Sequence, residues 1–560
     1  MAFLGNISDI LKQFDDLKSR RVNWDNIWQR VHDLNWPQSG NFNIETSPGE
    51  SRIREIYDVT GAAALEKFGA VLESLLTPRN QRFHSLIPTD ENLLKDKSVV
   101  EYFERVNNKL FLSRQRPRSG FYDQAFESHK SLGAYGNQCM HIIPSKDRLG
   151  TSYRYTHTGA VWIATDDRGV VDTTYYRWKM TAKAAMQRWG ELTPESAVKA
   201  IEGNDPFRML EFVHLVRPRA LIRDVLGPES MAFESFEISL EDKSFIPSRN
   251  PVTGSLMESG GFKTHPYLYS RFSTNPSEEY GRGPSMFVLG ANESLQRMEK
   301  TNLLYGEHAV APPLLAQNMD LMSDGESRLD LRSAAVNPGW LDAQGNPRVK
   351  AMQNGYNLQV SDVLMGKKQD AINDAHFITL FQILVQSPEM TATEALIRAQ
   401  EKGQLIAPMV GRQESEFIGP LIEREISIHT DLGLLPDPPP ALVEAKGEYK
   451  VEYTGSSSRI QREEEVQGIR TTFVDMLSIA ETDPTAVEVL NGPEAVRFIA
   501  RARNVPAHLV RSPEEFDAIM QAQQAQAKEE QALAAAPGMA KAAKDASQID
   551  VENLGKVAAA

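Results

Sequence analysis

Residues 391–430 read TATEALIRAQEKGQLIAPMVGRQESEFIGPLIEREISIHT. Nearly every local signal in this stretch is helical. Leu405/Met409, Ile406/Val410, Phe417/Leu421 and Ile418/Ile422/Ile426 recur at i, i+4 and define an apolar stripe. Arg412, Glu414, Glu423, Arg424 and Glu425 fall mainly between them. Thr391 and Glu394 have capping-box spacing ahead of the apolar run. Yet Pro408 and Pro420 interrupt the pattern, and Gly403, Gly411 and Gly419 recur every eight residues. A proline inside a helix removes a donor and presses on the carbonyl four residues back, costing about 3 kcal/mol if the helix stays straight. Two readings result. One is a single helix, about 60 Å long at 1.5 Å per residue, kinked at Pro408 and Pro420. The other is two or three short helices joined by turns. The first suits a wall that must bend rather than a compact enzyme core.

The whole chain has 560 residues, on the order of two to four structural units. Its 41% hydrophobic and 8% aromatic content is that of a folded protein. A net charge of −14 argues against gripping nucleic acid over a broad basic face, though not against handling DNA without holding it. The single cysteine, Cys139, allows no internal disulfide and sits in an apolar stretch, the setting of a small buried hydrophobe rather than a catalytic thiol. The N-terminus lacks the basic-then-apolar pattern of a secretory signal, and no window is long and apolar enough to span a membrane.

Along the chain, helical spacing covers Ser8 to about Leu34, Asp58 to Leu76, Ser98–Phe111 and Phe121–Leu132. A basic loop, SRQRPRSG (113–120), lies between the last two. The period then shortens. NQCMHIIPS, YRYTHTGAVWIATDD and GVVDTTYYRWKM are β-rich, with Asp167-Arg168-Gly169 as a hairpin turn. Thr181 caps a short helix, and LEFVHLVRPR, MAFESFEISLE and GFKTHPYLYSRFS are further strands. The pattern predicts an α+β unit with a mainly antiparallel sheet. Helix returns from Pro284 to about Val310 and stops at Pro312-Pro313. Residues 314–358 form a loop-rich module with short strands, and Ser361 caps the next helix. After 430 come a proline-rich connection, the strand YKVEYTG and helices to about Ala536. The final Ala/Gln-rich segment has the composition of solvated helix or of a disordered tail.

Motifs for chemistry are absent. There is no P-loop, no paired cysteines for zinc, no H-E-x-x-H and no G-x-S-x-G. GRGPSM (281–286) lacks the third glycine of a dinucleotide fingerprint and reads as a turn into a helix. His84, His141, His265 and His376 sit among apolar or strand residues, the places of structural histidines. Two basic groups, Lys367/Lys368 and Arg114/Arg116/Arg118, are either solvated faces or phosphate contacts.

Seven segments in order resemble the portal, or head-to-tail connector, proteins of short-tailed bacteriophages: REIYDVTGAAALEKFGAVLESLLTP (54–78), HKSLGAYGNQCMHI (129–142), EEYGRGPSM (278–286), AVAPPLL (309–315), EMTATEALIRAQEK (389–402), VGRQESEFIGPLIER (410–424) and NVPAHLVRSPEEFDAIMQ (504–521). The likeness spans about residues 1–525. In the second segment Asn137 and Gln138 replace the family's usual small residues.

The resemblance implies a mainly helical α+β portal fold. A wing would cover 1–283 and 391–460, the latter holding the long kinked helix. Stem helices would be 284–310 and 361–384, with a clip at 311–360 between them. A tunnel loop would lie at 385–391, a crown at 461–540 and a flexible tail at 541–560. It implies a homo-oligomeric ring, usually a dodecamer, at one capsid vertex of the virion, assembled in the host cytoplasm. Double-stranded DNA would pass through the ring during packaging and ejection. The terminase large subunit, tail adaptor proteins, and major capsid and scaffolding proteins would be partners, with no membrane, cofactor, metal or catalytic site. Lys367, Lys368 and the loop Gln386, Ser387, Pro388 and Glu389 become the candidates for channel contacts. The alternatives are a capsid scaffold or structural protein without a channel, or a particle-associated nuclease or protease.

Overall fold

The computed structural model describes residues 6–43, 49, 56–94, 96–222, 227–249, 254–316, 330–342, 344–348, 358–385, 404–445, 448–453, 456–480, 483, 485, 489–503, 505, 509–511, 513 and 515–528. In chain order the elements begin α1 (Ile7–Asn35), α2 (Thr60–Leu76), β1 (His84–Pro88), α3 (Lys97–Gln115), α4 (Phe121–Tyr135), β2 (Asn137–Pro144), β3 (Thr151–Tyr155), β4 (Val161–Thr165) and β5 (Val171–Thr181). They continue with α5 (Ala182–Trp189), α6 (Glu195–Glu202), β6 (Met209–Pro218), β7 (Phe233–Ser239), β8 (Ser244–Ile246), β9 (Ser248–Arg249), β10 (Leu256–Met257), β11 (Gly260–Phe262) and β12 (Tyr267–Arg271). Then follow α7 (Pro284–Phe287), α8 (Leu289–Val310), β13 (Leu314–Ala316), β14 (Val336–Pro338), α9 (Leu358–Ala375) and α10 (Ile378–Val385). Helix α11 spans 404–413, and α12 (Gly419–Asp431), α13 (Pro440–Glu444), β15 (Tyr449–Tyr453), α14 (Ser456–Ala480) and α15 (Gly492–Ala502) complete the series. The mixed α+β class expected from the sequence is the one observed.

The chain divides into two compact units. One holds Met1–Phe83, Leu110–Leu435 and Tyr453–Ile460; the other holds His84–Lys109, Pro436–Glu452 and Gln461–Ala560. In the first, two antiparallel sheets carry the core. Their orders are β11-β7-β6-β5-β4, with β8 on β7, and β12-β2-β3. Cys139, Tyr267 and Tyr269 of the smaller sheet pack with Val161, Ile163 and Val216 of the larger, alongside Trp28 and Tyr135. Cys139 is fully buried, as its apolar surroundings predict.

The first helix is held by one buried cation. Arg21 of α1 donates to the carbonyls of Val161 at 2.6 Å and Gly159 at 2.8 Å, and pairs with Asp25 at 2.9 Å. Two turns earlier in α1, Phe14 meets Trp162 edge-on at 5.0 Å. Burying both rings stabilises this contact by about 2 kcal/mol per side chain.

The Asp167-Arg168-Gly169 hairpin forms as expected between β4 and β5, with Gly169 at φ 78°. Thr181 caps α5 by accepting from the Ala184 amide. Three readings need correction. YRYTHTGAVWIATDD is not one strand: a 3-10 turn at Thr158–Ala160 carries the chain from β3 in one sheet to β4 in the other. GFKTHPYLYSRFS likewise splits into β11 and β12, in different sheets. Ser361 is not a cap, because α9 already begins at Leu358; its hydroxyl instead bonds Asn302 of α8 at 3.1 Å.

In the second unit, β1 pairs with β15, and Asn107 of α3 satisfies Leu86 through both its oxygen (2.9 Å) and its amide (3.3 Å). Asn491 caps α15 by accepting from the Glu494 amide at 3.2 Å. Val474, Leu477, Val489 and Val496 of this unit are exposed.

Candidate functional site

The segment 404–431 remains helical throughout its length. It runs as α through 404–413, changes to a π turn at Glu414–Ile418, and resumes as α12. Pro420 sits in the first turn of α12, where its missing N–H is tolerated. The widened turn lets the Gly419 amide reach the Glu414 carbonyl, and the Tyr453 hydroxyl donates to the same oxygen at 2.9 Å. A side chain at Gly419 would lie 3.3 Å from both groups, which accounts for one of the recurring glycines. Gly411 faces open space, so the eight-residue spacing has no common cause. Pro408 lies exposed within α11. Thr391, Glu394 and Gly403 fall outside the described residues.

Polar side chains fix this helix to the small sheet. The amide of Gln138 on β2 donates to Gln413 Oε1 at 2.8 Å and to Ser270 at 2.7 Å, and its oxygen accepts from Ser128 at 3.0 Å. His129 joins them, between Gln138 and Thr77 at 3.2 Å each, and burial holds its imidazole at about 4 against the opposing Gln138 hydrogen bond. One turn on, Glu416 accepts from the Arg271 amide at 2.8 Å and pairs with its guanidinium at 3.0 Å. The outward-facing peptide of β12 is thus occupied by a carboxylate in place of another strand.

The C-terminal half is pinned by a buried ion pair. Arg114 donates to Glu425 at 2.8 and 2.5 Å, and the Tyr153 hydroxyl donates to the same carboxylate at 2.5 Å. Burial opposes the Arg114 charge, but the Glu425 carboxylate outweighs it and holds the guanidinium firmly protonated. The basic loop is therefore not a row of phosphate contacts. Arg114 is internal, Arg116 pairs with Asp147 at 3.0 Å, and Arg118 alone is largely exposed.

The two glycine motifs interlock. Gly136 caps α4 at φ 72°, and a Cβ there would come within 2.4 Å of the Gly283 nitrogen. A Cβ on Gly283 would lie 2.6 Å from the Gly136 nitrogen and 2.8 Å from the Gly133 carbonyl. Asn137 holds the junction: its amide donates to Gly281 O at 3.1 Å and its oxygen accepts from Gly281 N at 2.8 Å. Asn137 and Gln138, the positions where the sequence departs from the family segment, are the residues that build these networks. Pro284 then opens α7, and Ser285 bonds His376 Nε2 at 2.9 Å. His376 also bonds the Ile372 carbonyl at 2.8 Å, and burial keeps its ring at about 4.

From that junction α8 packs against α9. The inner face includes Leu295 of α8 and Met365 and Ile372 of α9, with Ile378 of α10 closing the same cluster. Beyond Lys300 almost every position of α8 is exposed, including Leu303 at 48%, Leu304 and Val310 at 89%; on α9 Val360, Val363 and Leu364 are exposed too. Lys367 lies on this open side of α9, and Lys368 is half-buried; neither forms an ion pair among the described residues. Gln386, Ser387, Pro388 and Glu389 lie outside the described residues. Among the described residues, no group of His, Cys, Asp or Glu side chains is placed to hold a metal ion, and no helix is long and apolar enough to cross a membrane.

The chain belongs to the bacteriophage head to tail connecting protein family, whose model matches residues 8–510. It is 23% identical over 557 residues to the portal protein of Salmonella phage epsilon15, covering 96% of this chain and 95% of that one. It is 25% identical over 481 residues to a probable portal protein of Bordetella phage BPP-1, covering 83% and 81%. A chain in the neck of an empty GTA particle is a fainter likeness, with 9% identity, a TM-score of 0.32, and coverage of 79% of this chain and 94% of its own.

Proposed function

We propose that this chain is a portal subunit. Copies form a ring, a dodecamer in the family pattern, at one capsid vertex of the virion. Double-stranded DNA enters the head and later leaves it through the ring's channel. The terminase large subunit and then tail adaptor proteins dock on the clip, 311–360, while the major capsid and scaffolding proteins surround the ring. Wing (1–283 and 391–460), stem (284–310 and 361–384), crown (461–540) and tail (541–560) take the family's positions. The protein acts by shape and charge, with no reaction of its own.

The observation that carries the reading is the open apolar side of the α8–α9 pair. A lone chain leaves Leu303, Leu304, Val310, Val360, Val363 and Leu364 in water. A patch of this kind marks an association surface. Using different faces of each copy gives a heterologous interface, which closes into a ring when its rotation divides a full turn. A conduit must also release its cargo. Every neutralised phosphate strengthens DNA binding, so a chain of net charge −14 with few channel cations favours sliding. Lys367 and Lys368 on α9 and the loop Gln386–Glu389 are the proposed channel contacts, and Pro408 and Pro420 bend the long helix beside it.

Procapsids assembled with and without this protein test the role. Only those containing it should package DNA. Normal packaging without it would make it a structural component with no conduit role. Metal-dependent DNA cleavage by the pure protein would instead indicate an enzyme.

A further inference from the structure

Three histidines to which no role is assigned above meet where the two sheets of the first unit pack. His141 lies on β2, His214 on β6, and His265 just before β12. The His141 ring stacks on Tyr267 at 4.3 Å and lies 6.2 Å from His214. His214 Nδ1 bonds the Tyr267 hydroxyl at 2.6 Å, and His265 Nδ1 lies 2.8 Å from the Tyr267 carbonyl. Two further ring nitrogens, Nε2 of His141 and Nε2 of His265, are buried with no hydrogen-bond partner among the described residues.

The surroundings oppose added positive charge. Arg424 of α12 approaches from one side, donating to the Ile142 and Thr264 carbonyls and lying over the Phe262 ring at 5.1 Å. Burial brings even this guanidinium down to about 10, with Asp431 acting the other way. Arg154 of β3 and Arg188 of α5 also disfavour protonation of His141. Among the described residues, the carboxylate acting on His214 is Glu237 of β7, already engaged by Arg188 and by the Trp189 indole. Tyr176 of β5 completes the contact, 5.8 Å from Tyr267. Protons on these rings would therefore enter a seam with three arginines and one committed acid.

We propose that this seam is acid-labile: proton uptake by the three imidazoles parts β6 from β2 and β12 before the rest of the unit unfolds. The direction follows from linkage. Burial, the first cause for both, holds His214 and His265 at about 4, below the ordinary 6.5. The closed seam is at full strength above pH 6.5, and weakens as pH falls toward 4, because the opened rings bind protons that the closed ones refuse. At pH 4.5 His214 and His265 each favour opening by roughly 70-fold relative to pH 7.5, and His141, held well below the ordinary value by burial, acts in the same direction.

The chain supplies its own reporter. Cys139, the single cysteine, is fully buried on β2 opposite Tyr269. Its reaction with dithiodipyridine, which works in acid, should be timed in the full chain against free cysteine at each pH, with far-UV circular dichroism alongside. The relative rate should climb by tens of fold between pH 6.5 and 4.5 while the helical signal holds. H214Q should flatten that climb, and H376Q, at a buried histidine beside Phe68 and Ser285, should not. The proposal is overturned if Cys139 stays protected until the helical signal is lost, or if H214Q follows the wild-type curve. Should H214Q fail to fold, the wild-type comparison of thiol exposure with helical signal decides alone.

Discussion

Glu425→Gln removes one charge from a site that cannot rehydrate. The two side chains of the Arg114–Glu425 pair are 0% and 1% exposed, so solvent does not screen them. The carboxylate takes two Arg114 hydrogen bonds, at 2.8 and 2.5 Å, and the Tyr153 hydroxyl at 2.5 Å. The amide keeps the volume but leaves the guanidinium buried without its counter-charge, and turns a donor toward groups that are themselves donors. Removing one partner of such a pair costs about 3–5 kcal/mol, a large part of the roughly 5–15 kcal/mol that holds a domain folded. Urea unfolding followed by tryptophan fluorescence reads the effect cleanly. All seven tryptophans (24, 28, 36, 162, 178, 189 and 340) belong to the first unit, so the signal reports that unit alone. Arg114→Met should cost a similar amount, and the double variant well below the sum of the two, with a coupling of about 2 kcal/mol or more. A Glu425→Gln loss under about 1 kcal/mol, with additive single variants, would refute the claim that this pair pins α12.

Other perturbations have equally definite outcomes. Gly283→Ala places a methyl against the backbone of Gly136 and Gly133, and should cost about 3 kcal/mol or abolish soluble expression, read by the same urea midpoint. Urea stability of the first unit should be flat above about pH 7 and fall from 6.5 toward 4, because burial holds His129 and His376 at about 4 and their neutral forms belong to the fold; a midpoint that rises on acidification contradicts this. The pair K367A/K368A should leave assembly intact and weaken DNA retention, with the slope of log affinity on log salt shallower by about 0.9 for each phosphate that is no longer neutralised. Deleting Gln386–Glu389 should likewise spare assembly, seen by electron microscopy, while impairing packaging; particles that no longer assemble would remove this loop from the channel.

The elements most legible in the sequence were those with a local cause. The stripe over 404–430 forms a helix because its apolar period is set by residues three and four apart, and Asp167-Arg168-Gly169 forms a hairpin because its glycine takes positive φ. The π turn was illegible: it answers Pro420 with a carbonyl shared between Gly419 and Tyr453, a residue more than thirty positions away. The split of YRYTHTGAVWIATDD was equally hidden, since both halves have strand composition and only the packing assigns them to different sheets. Arg114 was hidden for the same reason. A cation in a basic loop looks solvated until Glu425, 311 positions on, is folded against it. Asn137 and Gln138 were visible as departures from a familiar segment, and that departure was the available sign of the buried network they build. The exposed apolar positions of α8 and α9 read in sequence as ordinary helix; only the fold shows that a single chain leaves them uncovered.

The proposed conduit exists only if copies of the chain assemble around a channel. Negative-stain electron microscopy of the purified full-length protein tests it most directly. Rings with a central hole wide enough for a DNA duplex are expected. A population of compact single-chain particles, with no rings at any concentration, would contradict it.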